Sequence, residues 1–252
     1  MAHAIEDADV EIKFIVPDEA AEAACRLLGL EADEGKRFTV YFWDKPRGDG
    51  GEIRLPLSEA GVIIRLRKAA KGDDDDLTAK LRPCDVHTLP DGWRANRDGE
   101  GWEFKIEQDW TGDSRVWSAS LKVDGAFERP VSRDGGRSRQ PRLTEDQRAL
   151  LMSAGAGGDT LEGLVALGPV EALKWKPARR DLVHPLTAEL WSTGDGTRFL
   201  ELSLRARPAD APAAQDLLQR ALLERGLRPP SRQLSKTRTV LTSLARAHLG
   251  TP

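Results

Sequence analysis

The chain has 252 residues, 39% of them hydrophobic and 31% charged, a composition typical of globular rather than disordered proteins. Lys and Arg number 38 against 41 Asp and Glu, a net charge of -3, so no overall basic field draws the chain to nucleic acid. No apolar run approaches the roughly 20 residues that span a bilayer, the N-terminus lacks a signal-peptide pattern, and Cys25 and Cys84 form no disulfide framework. These features predict a cytoplasmic protein without a membrane or nucleic-acid partner.

Several segments alternate between charged and apolar residues, which predicts strands with two unlike faces. In chain order, the clear segments are 9–14, 61–68, 77–82, 102–107 and 200–207. Weaker strand candidates are 37–43, 116–123, 172–176 and 187–191. The sequence therefore predicts about eight or nine strands and a mainly β (α+β) body.

Helices are predicted between and after these strands. Segment 17–28 has apolar residues at helical spacing and Gly29 to end it, and Thr144 with Gln147 forms a capping-box pattern. Asp159 with Glu162 predicts a short helix that ends near residue 168. Two further helices are predicted at 213–223 and 237–248. Segments 129–142 and 73–76 are predicted to be flexible, and 47–51 to be a hairpin insert.

The charged strand faces have two interpretations. Each face could be the solvated side of an antiparallel sheet. However, Arg65 with Arg67 and Lys80 with Arg82 are positive pairs roughly 7 Å apart on one face, and such pairs repel unless an opposite charge is near. In a closed barrel, the charged face of each strand can point into the interior while the apolar face packs against helices outside. The prediction is one domain over 1–252, a closed barrel with a charged interior.

The metal and phosphate motifs narrow the chemistry. The four histidines are scattered, without a zinc-type spacing, and no glycine-rich phosphate loop is present. Carboxylates among basic strands suit Mg²⁺ or Mn²⁺, which link protein carboxylates to phosphate oxygens. Phosphate binding is therefore expected to come from side chains.

Several short motifs occur in a fixed order. D-V-E-I-K at 9–13 is similar to E-x-E-x-K, F-W-D-K-P at 42–46 to Y-F-D-T-P, and I-R-L-R at 64–67 to L-R-x-R. T-A-K-L-R-P at 78–83, the glutamate-bearing strand 102–107, a K-x-R-type segment at 174–180, L-E-L-S at 200–203 and S-K at 235–236 follow. Together they resemble the CYTH family, the triphosphate tunnel metalloenzymes, over nearly the whole chain.

The resemblance implies an eight-stranded antiparallel tunnel and metal-dependent hydrolysis of inorganic triphosphate, thiamine triphosphate or a nucleoside triphosphate. It implies catalytic roles for Glu11 and Lys13. The phosphate-binding residues that it implies are Arg65, Arg67, Lys80, Arg82, Lys176, Arg179 and Lys236. The carboxylates from which the Mg²⁺ or Mn²⁺ ligands come are Asp9, Glu11, Glu103, Glu107 and Glu201.

Two departures from the family pattern leave alternatives open. Asp9 is one methylene shorter than glutamate, and Ser203 stands where a second acid is usual. An adenylyl cyclase on the same fold and a non-catalytic module that binds polyphosphate or a nucleotide are therefore alternatives. The substrate is expected to be a small triphosphate, and a homodimer is left open.

Overall fold

The computed structural model describes residues 5, 8–16, 18–71, 75–130, 139–178, 181–228 and 236–250. Within these ranges, no helix is both long and apolar enough to cross a membrane. That all 252 residues form one domain stays a prediction.

The charged and apolar alternation does form strands, and most run longer than the sequence indicates. The strands are β1 (Val10–Val16), β2 (Lys36–Asp44), β3 (Arg47–Asp49), β4 (Glu52–Arg54), β5 (Val62–Ala69), β6 (Asp76–Leu81), β7 (Arg97–Gly99), β8 (Trp102–Thr111), β9 (Ser114–Asp124), β10 (Val165–Trp175), β11 (Thr187–Ser192) and β12 (Arg198–Ala206). Strands β3 and β4 form the predicted hairpin insert. Hydrogen-bonded neighbours follow the order β1-β12-β11-β10-β2-β5-β6-β9-β8, with β7 on the outer edge of β8.

Strand β1 also pairs with β8, and this pairing closes the sheet into a barrel of nine strands. The prediction of a closed barrel is confirmed, but the count of eight and the purely antiparallel pairing are not. Strands β1 and β8 run parallel, in register from Val10 opposite Gln108 to Lys13 opposite Thr111. In a ring of nine strands that alternate in direction, one pair of neighbours must run the same way, so the parallel pair follows from the odd number.

The outward faces of the barrel carry the apolar half of each alternation. One outer core joins β5, β6, β8 and β9, with Ile64, Leu66 and Phe104 among its fully buried members. A second joins β1 and β12, with Ile12 and Leu202 buried in it. The burial of these faces, worth about 25 cal/mol per Å² of apolar surface, stabilises the barrel from outside and leaves the charged faces directed inward.

The helices are α1 (Asp18–Leu28), α2 (Pro56–Glu59), α3 (Glu145–Ser153), α4 (Gly158–Leu161), α5 (Ala211–Leu223) and α6 (Lys236–Leu249). The Thr144–Gln147 capping box is present at the start of α3. By contrast, α4 is a single turn without a side-chain cap, because strand β10 already begins at Val165. The prediction of a helix continuing toward residue 168 is wrong.

Helix α6 contributes to the interior wall as well as to the core. Its Val240, Leu241 and Leu244 belong to a third buried core, together with Phe42 of β2 and Trp191 of β11. Phe42 and Trp191 also line the cavity described below, as do the first two residues of α6.

The segments predicted to be flexible have different outcomes. Residues 131–138 and 72–74 lie outside the described residues. Asp75 and Asp76 are both buried: Asp75 accepts a hydrogen bond from the Ala69 amide at 2.9 Å, and Asp76 begins β6. For these two residues the prediction of flexibility is wrong, because each carboxylate forms an ion pair: Asp75 with Lys68 and Asp76 with Arg65.

Candidate functional site

A cavity of about 360 Å³ lies inside the barrel and is lined mainly by inward-facing strand residues. Its basic lining residues are Lys13, Arg65, Arg67, Lys80, Arg82, Lys105, Lys122, Lys174, Arg205 and Lys236. Its acidic lining residues are Glu11, Asp76, Glu103, Glu107, Glu189 and Glu201. Among the described residues that line the cavity, ten basic side chains thus face six acidic ones, an excess of four positive charges. The buried carboxylate of Asp109 behind the wall reduces this excess to three. Since uncompensated charge is costly away from bulk water, the interior favours a polyanionic ligand.

One group of cations is organised around a carboxylate behind the cavity wall. The side chain of Asp109 is fully buried and forms an ion pair and hydrogen bond with Lys13. Its Oδ2 lies 3.0 Å from Arg82 Nε and 3.4 Å from Lys80 Nζ. Burial alone would raise the pKa of Asp109, but the charges of Lys13, Lys80 and Arg82 hold it well below its usual value. Asp109 therefore stays ionised and holds three cations side by side.

A second group surrounds Glu189 of β11, which lies among cations from three elements. Arg67 Nη2 lies 3.4 Å and Lys174 Nζ 3.2 Å from Glu189 Oε1. Lys236, at the start of α6, lies 3.7 Å from Glu189 Oε2 and 2.9 Å from Glu201 Oε1. Although burial by itself raises the pKa of Glu189, Arg67, Lys236 and Lys174 keep it well below the usual range. Lys236 thus bridges two glutamates that stand opposite each other on β11 and β12.

A third group contains an acid pair bridged by an arginine. Arg205 donates from Nε to Glu107 at 2.9 Å, and its Nη2 lies 2.8 Å from Glu107 and 3.7 Å from Glu11. Burial and the negative charge of Glu11 raise the pKa of Glu107. Burial also tends to raise the pKa of Glu11, but Lys13, Arg205 and Lys80 outweigh it and the pKa falls. The two carboxylates are thus near enough to affect each other electrostatically.

Two arginines present buried donors that the described protein atoms leave without a hydrogen bond. These are the Nε groups of Arg65 and Arg67. Arg65 also contacts Asp76 and Thr78 through Nη2, at 3.4 and 3.3 Å. Burial and the neighbouring Arg67 lower the pKa of Arg65. A buried N–H without a partner is costly, and a ligand oxygen in the cavity would satisfy it.

The structure brings most of the residues chosen from the sequence into this cavity. Those that line it are Glu11, Lys13, Arg65, Arg67, Lys80, Arg82, Glu103, Glu107, Glu201 and Lys236. Asp9 is exposed and outside the lining; it lies just before β1, and its backbone oxygen accepts from Gln108. Lys176 is exposed and lines a separate cavity, because it follows the end of β10. Arg179 lies outside the described residues.

Sequence reasoning missed several charged residues of the interior. Asp109 was missed because the alternating pattern was read only to Glu107, whereas β8 continues to Thr111. Glu189 is the one charged residue of the short strand β11, so the strand shows no alternation of charged and apolar residues that would have predicted an inward position for it. Arg205 shares a face with Glu201 in the sequence pattern, and that spacing could have identified it.

The acidic residues of the cavity supply some, but not all, of the ligands that a divalent metal needs. Within the described ranges, no three Asp, Glu, His or Cys side chains come together as a metal-binding group. Glu11 and Glu107 nevertheless offer a pair of hard oxygen donors, the ligand type of Mg²⁺ and Mn²⁺. Two carboxylates suit a metal that completes its coordination with water and phosphate oxygens, as Mg²⁺ commonly does.

Comparisons with known proteins support the fold. No family model and no curated protein matches the chain. Among solved structures, a "putative adenylate cyclase" from Bacillus halodurans is similar, with a TM-score of 0.52 and 12% identity over 92% of this chain and 97% of that one. A protein from Pyrococcus horikoshii OT3 has a TM-score of 0.42 and 15% identity over 93% and 99% of the two chains. At such identities the likeness to the Bacillus protein concerns the fold alone.

Proposed function

We propose that this chain is a member of the CYTH family that binds a linear triphosphate inside the barrel and hydrolyses it with Mg²⁺ or Mn²⁺. The observation that carries the proposal is the excess of positive charge in the cavity, four charges among the lining side chains and three when Asp109 is included. A bound triphosphate brings roughly four negative charges, which must be neutralised by charge-assisted hydrogen bonds in a partly dry site.

The basic groups have distinct proposed roles. Arg65 and Arg67 would direct their buried Nε donors to phosphate oxygens, and Lys80 and Arg82 would hold a second phosphoryl group beside them. Lys236 would bind from the α6 side of the cavity. Cations held in fixed positions lose little freedom on binding, which favours affinity.

Glu11 and Glu107 would hold the metal. When bound, a divalent ion polarises phosphoryl oxygens and lowers the pKa of an attached water. Lys13 keeps its proton, because the charges of Glu11 and Asp109 raise its pKa despite burial. It would therefore neutralise charge on a phosphate oxygen. In the proposed reaction, a water oxygen bonds to the terminal phosphorus in line as the bridging P–O bond breaks, and the water releases a proton to solvent. Inorganic triphosphate then gives phosphate and pyrophosphate, and an esterified triphosphate gives phosphate and the corresponding diphosphate.

Adenylyl cyclase activity is the second candidate, because the Bacillus protein of similar fold carries that name. In that reaction the ribose hydroxyl would attack the α-phosphate of ATP and pyrophosphate would leave. A non-catalytic phosphate-binding module is the third candidate, supported by the exposed position of Asp9 outside the cavity.

One incubation separates the three candidates. The protein is mixed with tripolyphosphate, ATP or thiamine triphosphate, plus Mg²⁺ or Mn²⁺, and phosphate, pyrophosphate and cyclic AMP are measured. Release of phosphate without cyclic AMP is expected; cyclic AMP with pyrophosphate supports the cyclase, and binding without any product supports the module.

The variant Glu11→Gln tests the acid pair in the same assay. It should abolish metal-dependent turnover while the circular dichroism spectrum stays unchanged, because loss of metal assistance is worth several kcal/mol of barrier. Glu100→Gln, at an exposed turn residue, is the matched control. Wild-type rates in Glu11→Gln at saturating metal contradict the role of Glu11.

A further inference from the structure

Arg205 is the most exposed cation of the three ion-pair groups in the interior. Its side chain is 50% exposed, whereas those of its partners Glu107 and Glu11 are 7% and 18% exposed. By comparison, the three cations around Asp109 are 11–19% exposed. Arg205 stands opposite Glu11 on paired strands and also lines the cavity. Its guanidinium therefore borders both the two carboxylates and the open space in which a ligand would lie.

The contact between Arg205 and Glu107 is not the strongest arrangement that these two groups can form. Arg205 Nε and Nη2 both approach one oxygen, Glu107 Oε1, at 2.9 and 2.8 Å. In the strongest arginine–carboxylate and arginine–phosphate pairs, two nitrogens meet two different oxygens. Because the guanidinium is already half in water, its release from Glu107 costs less than the release of a fully buried cation. Exchange of this carboxylate for phosphate oxygens is therefore physically accessible.

Arg205 and a divalent metal compete for the same carboxylates. Among the described residues, Arg205 is the one cation within ion-pair distance of Glu107, whereas Glu11 also pairs with Lys13 at 2.8 Å. A metal bound to Glu107 would share this carboxylate with the guanidinium, and two cations at one carboxylate repel each other. Metal binding to Glu107 therefore requires Arg205 to leave.

We propose that Arg205 is an internal counter-ion that occupies Glu107 and Glu11 until a triphosphate enters, and that it then transfers to phosphate oxygens and leaves both carboxylates to the metal. This inference rests on the proposed binding of a triphosphate and a metal in the interior. It makes Arg205 a ligand of the triphosphate and makes the metal affinity conditional on that ligand. Because such coupling is reciprocal, bound metal raises the affinity for the triphosphate by the same factor.

The test is the ratio of Mn²⁺ affinities between Arg205→Gln and the wild type, measured by electron paramagnetic resonance in two states. One state is the ligand-free protein, and the other is the protein saturated with a methylene-bridged analogue of tripolyphosphate that cannot be hydrolysed. Without the analogue, Arg205→Gln should bind Mn²⁺ about tenfold or more tightly than the wild type, because the counter-ion is gone. With the analogue bound, the ratio should fall to about threefold or less, the remaining effect of one exposed charge, because Arg205 of the wild type has already left the carboxylates.

Lys174→Gln is the matched control. It also removes one cation from the cavity lining, but Lys174 pairs with Glu189 at 3.2 Å, in a separate group. Its Mn²⁺ affinity should stay within about threefold of the wild type in both states. Arg205→Lys keeps the charge and loses the fork of donors, so it should show the pattern of Arg205→Gln in weaker form. It is the variant to use if Arg205→Gln does not fold.

Three results overturn the inference while the triphosphate site stands. Equal ligand-free Mn²⁺ affinities of Arg205→Gln and the wild type mean that Arg205 does not compete with the metal. A ligand-free difference that persists undiminished with the analogue bound makes Arg205 a permanent partner of Glu107. An equal gain in Lys174→Gln attributes the effect to total charge. The proposed function fails separately, by absence of analogue binding in metal-free calorimetry or by absence of product from tripolyphosphate.

Discussion

Replacement of Asp109 by asparagine tests the most buried charge of the interior. The side chain of Asp109 is fully buried and approaches Lys13, Lys80 and Arg82. Asparagine has nearly the same shape, so the substitution removes a negative charge and leaves the packing almost unchanged. Three cations then lose the carboxylate that holds them together.

The expected loss of stability is set by the burial of these partners. Removal of one member of a buried ion pair costs about 3–5 kcal/mol. The three cationic side chains are 11–19% exposed and can therefore move toward water when the carboxylate is lost. We accordingly expect the free energy of unfolding to fall by about 3 kcal/mol, the lower end of that range. In a chain of this size, that loss lowers the melting temperature by roughly 6–12 °C.

Ligand and pH provide two further readouts of Asp109→Asn. In the proposed function tripolyphosphate binds the same cations and supplies negative charge to them, so it should raise the melting temperature more in the variant than in the wild type. The folded-state pKa of Asp109 lies below its unfolded value, about 3.9. Its stabilising contribution is therefore fully present above the unfolded pKa and is lost progressively as pH falls toward the folded pKa, so the difference between wild type and variant should begin to shrink below about pH 4 and be smaller at pH 3 than at pH 7.

Differential scanning calorimetry at pH 7 and at pH 3, with and without tripolyphosphate, measures all three effects. Asp113→Asn is the control, because Asp113 is exposed in the turn after β8. A melting temperature for Asp109→Asn equal to that of the control at pH 7 refutes the reasoning, since the cations would then not depend on this carboxylate.

Three further predictions concern ligand and metal binding. Alanine at Arg65 or Lys80 should remove most of the stabilisation by tripolyphosphate, which is about 2.7 kcal/mol at a hundredfold excess over Kd. If calorimetry shows an undiminished ligand-induced rise in melting temperature in both variants, neither residue contacts the ligand. The wild type should bind Mn²⁺ tightly only together with a non-hydrolysable triphosphate, and Ser203→Glu should bind Mn²⁺ more tightly than the wild type when no ligand is present, as followed by electron paramagnetic resonance. Tight Mn²⁺ binding by the ligand-free wild type that Ser203→Glu does not improve contradicts this prediction. Arg205→Gln should also strengthen Mn²⁺ binding without ligand, because Arg205 neutralises Glu107 and Glu11; unchanged or weaker binding means that Arg205 does not compete with the metal.

Sequence alternation predicted which strand face is charged, because a period of two follows from strand geometry alone. It could not predict which strands pair, since partners such as β1 and β8 are far apart in the chain. Nor could it predict that Lys176 leaves the tunnel, because that depends on where β10 ends. Glu189 was missed for a related reason: one acid in a short strand gains importance only when Arg67, Lys174 and Lys236 from other elements surround it.

The closure of the barrel also builds the acid pair. Glu11 stands opposite Arg205 on β12 and opposite Asp109 on β8, so β1 joins the two halves of this charged cluster. Glu107 reaches the same arginine from β8. If β1 separated from β8, the cluster would lose Glu107 and Asp109 together. A polyanion or metal that binds this cluster therefore binds the closed barrel in preference to the opened one, and ligand binding should stabilise the β1–β8 pairing along with the site.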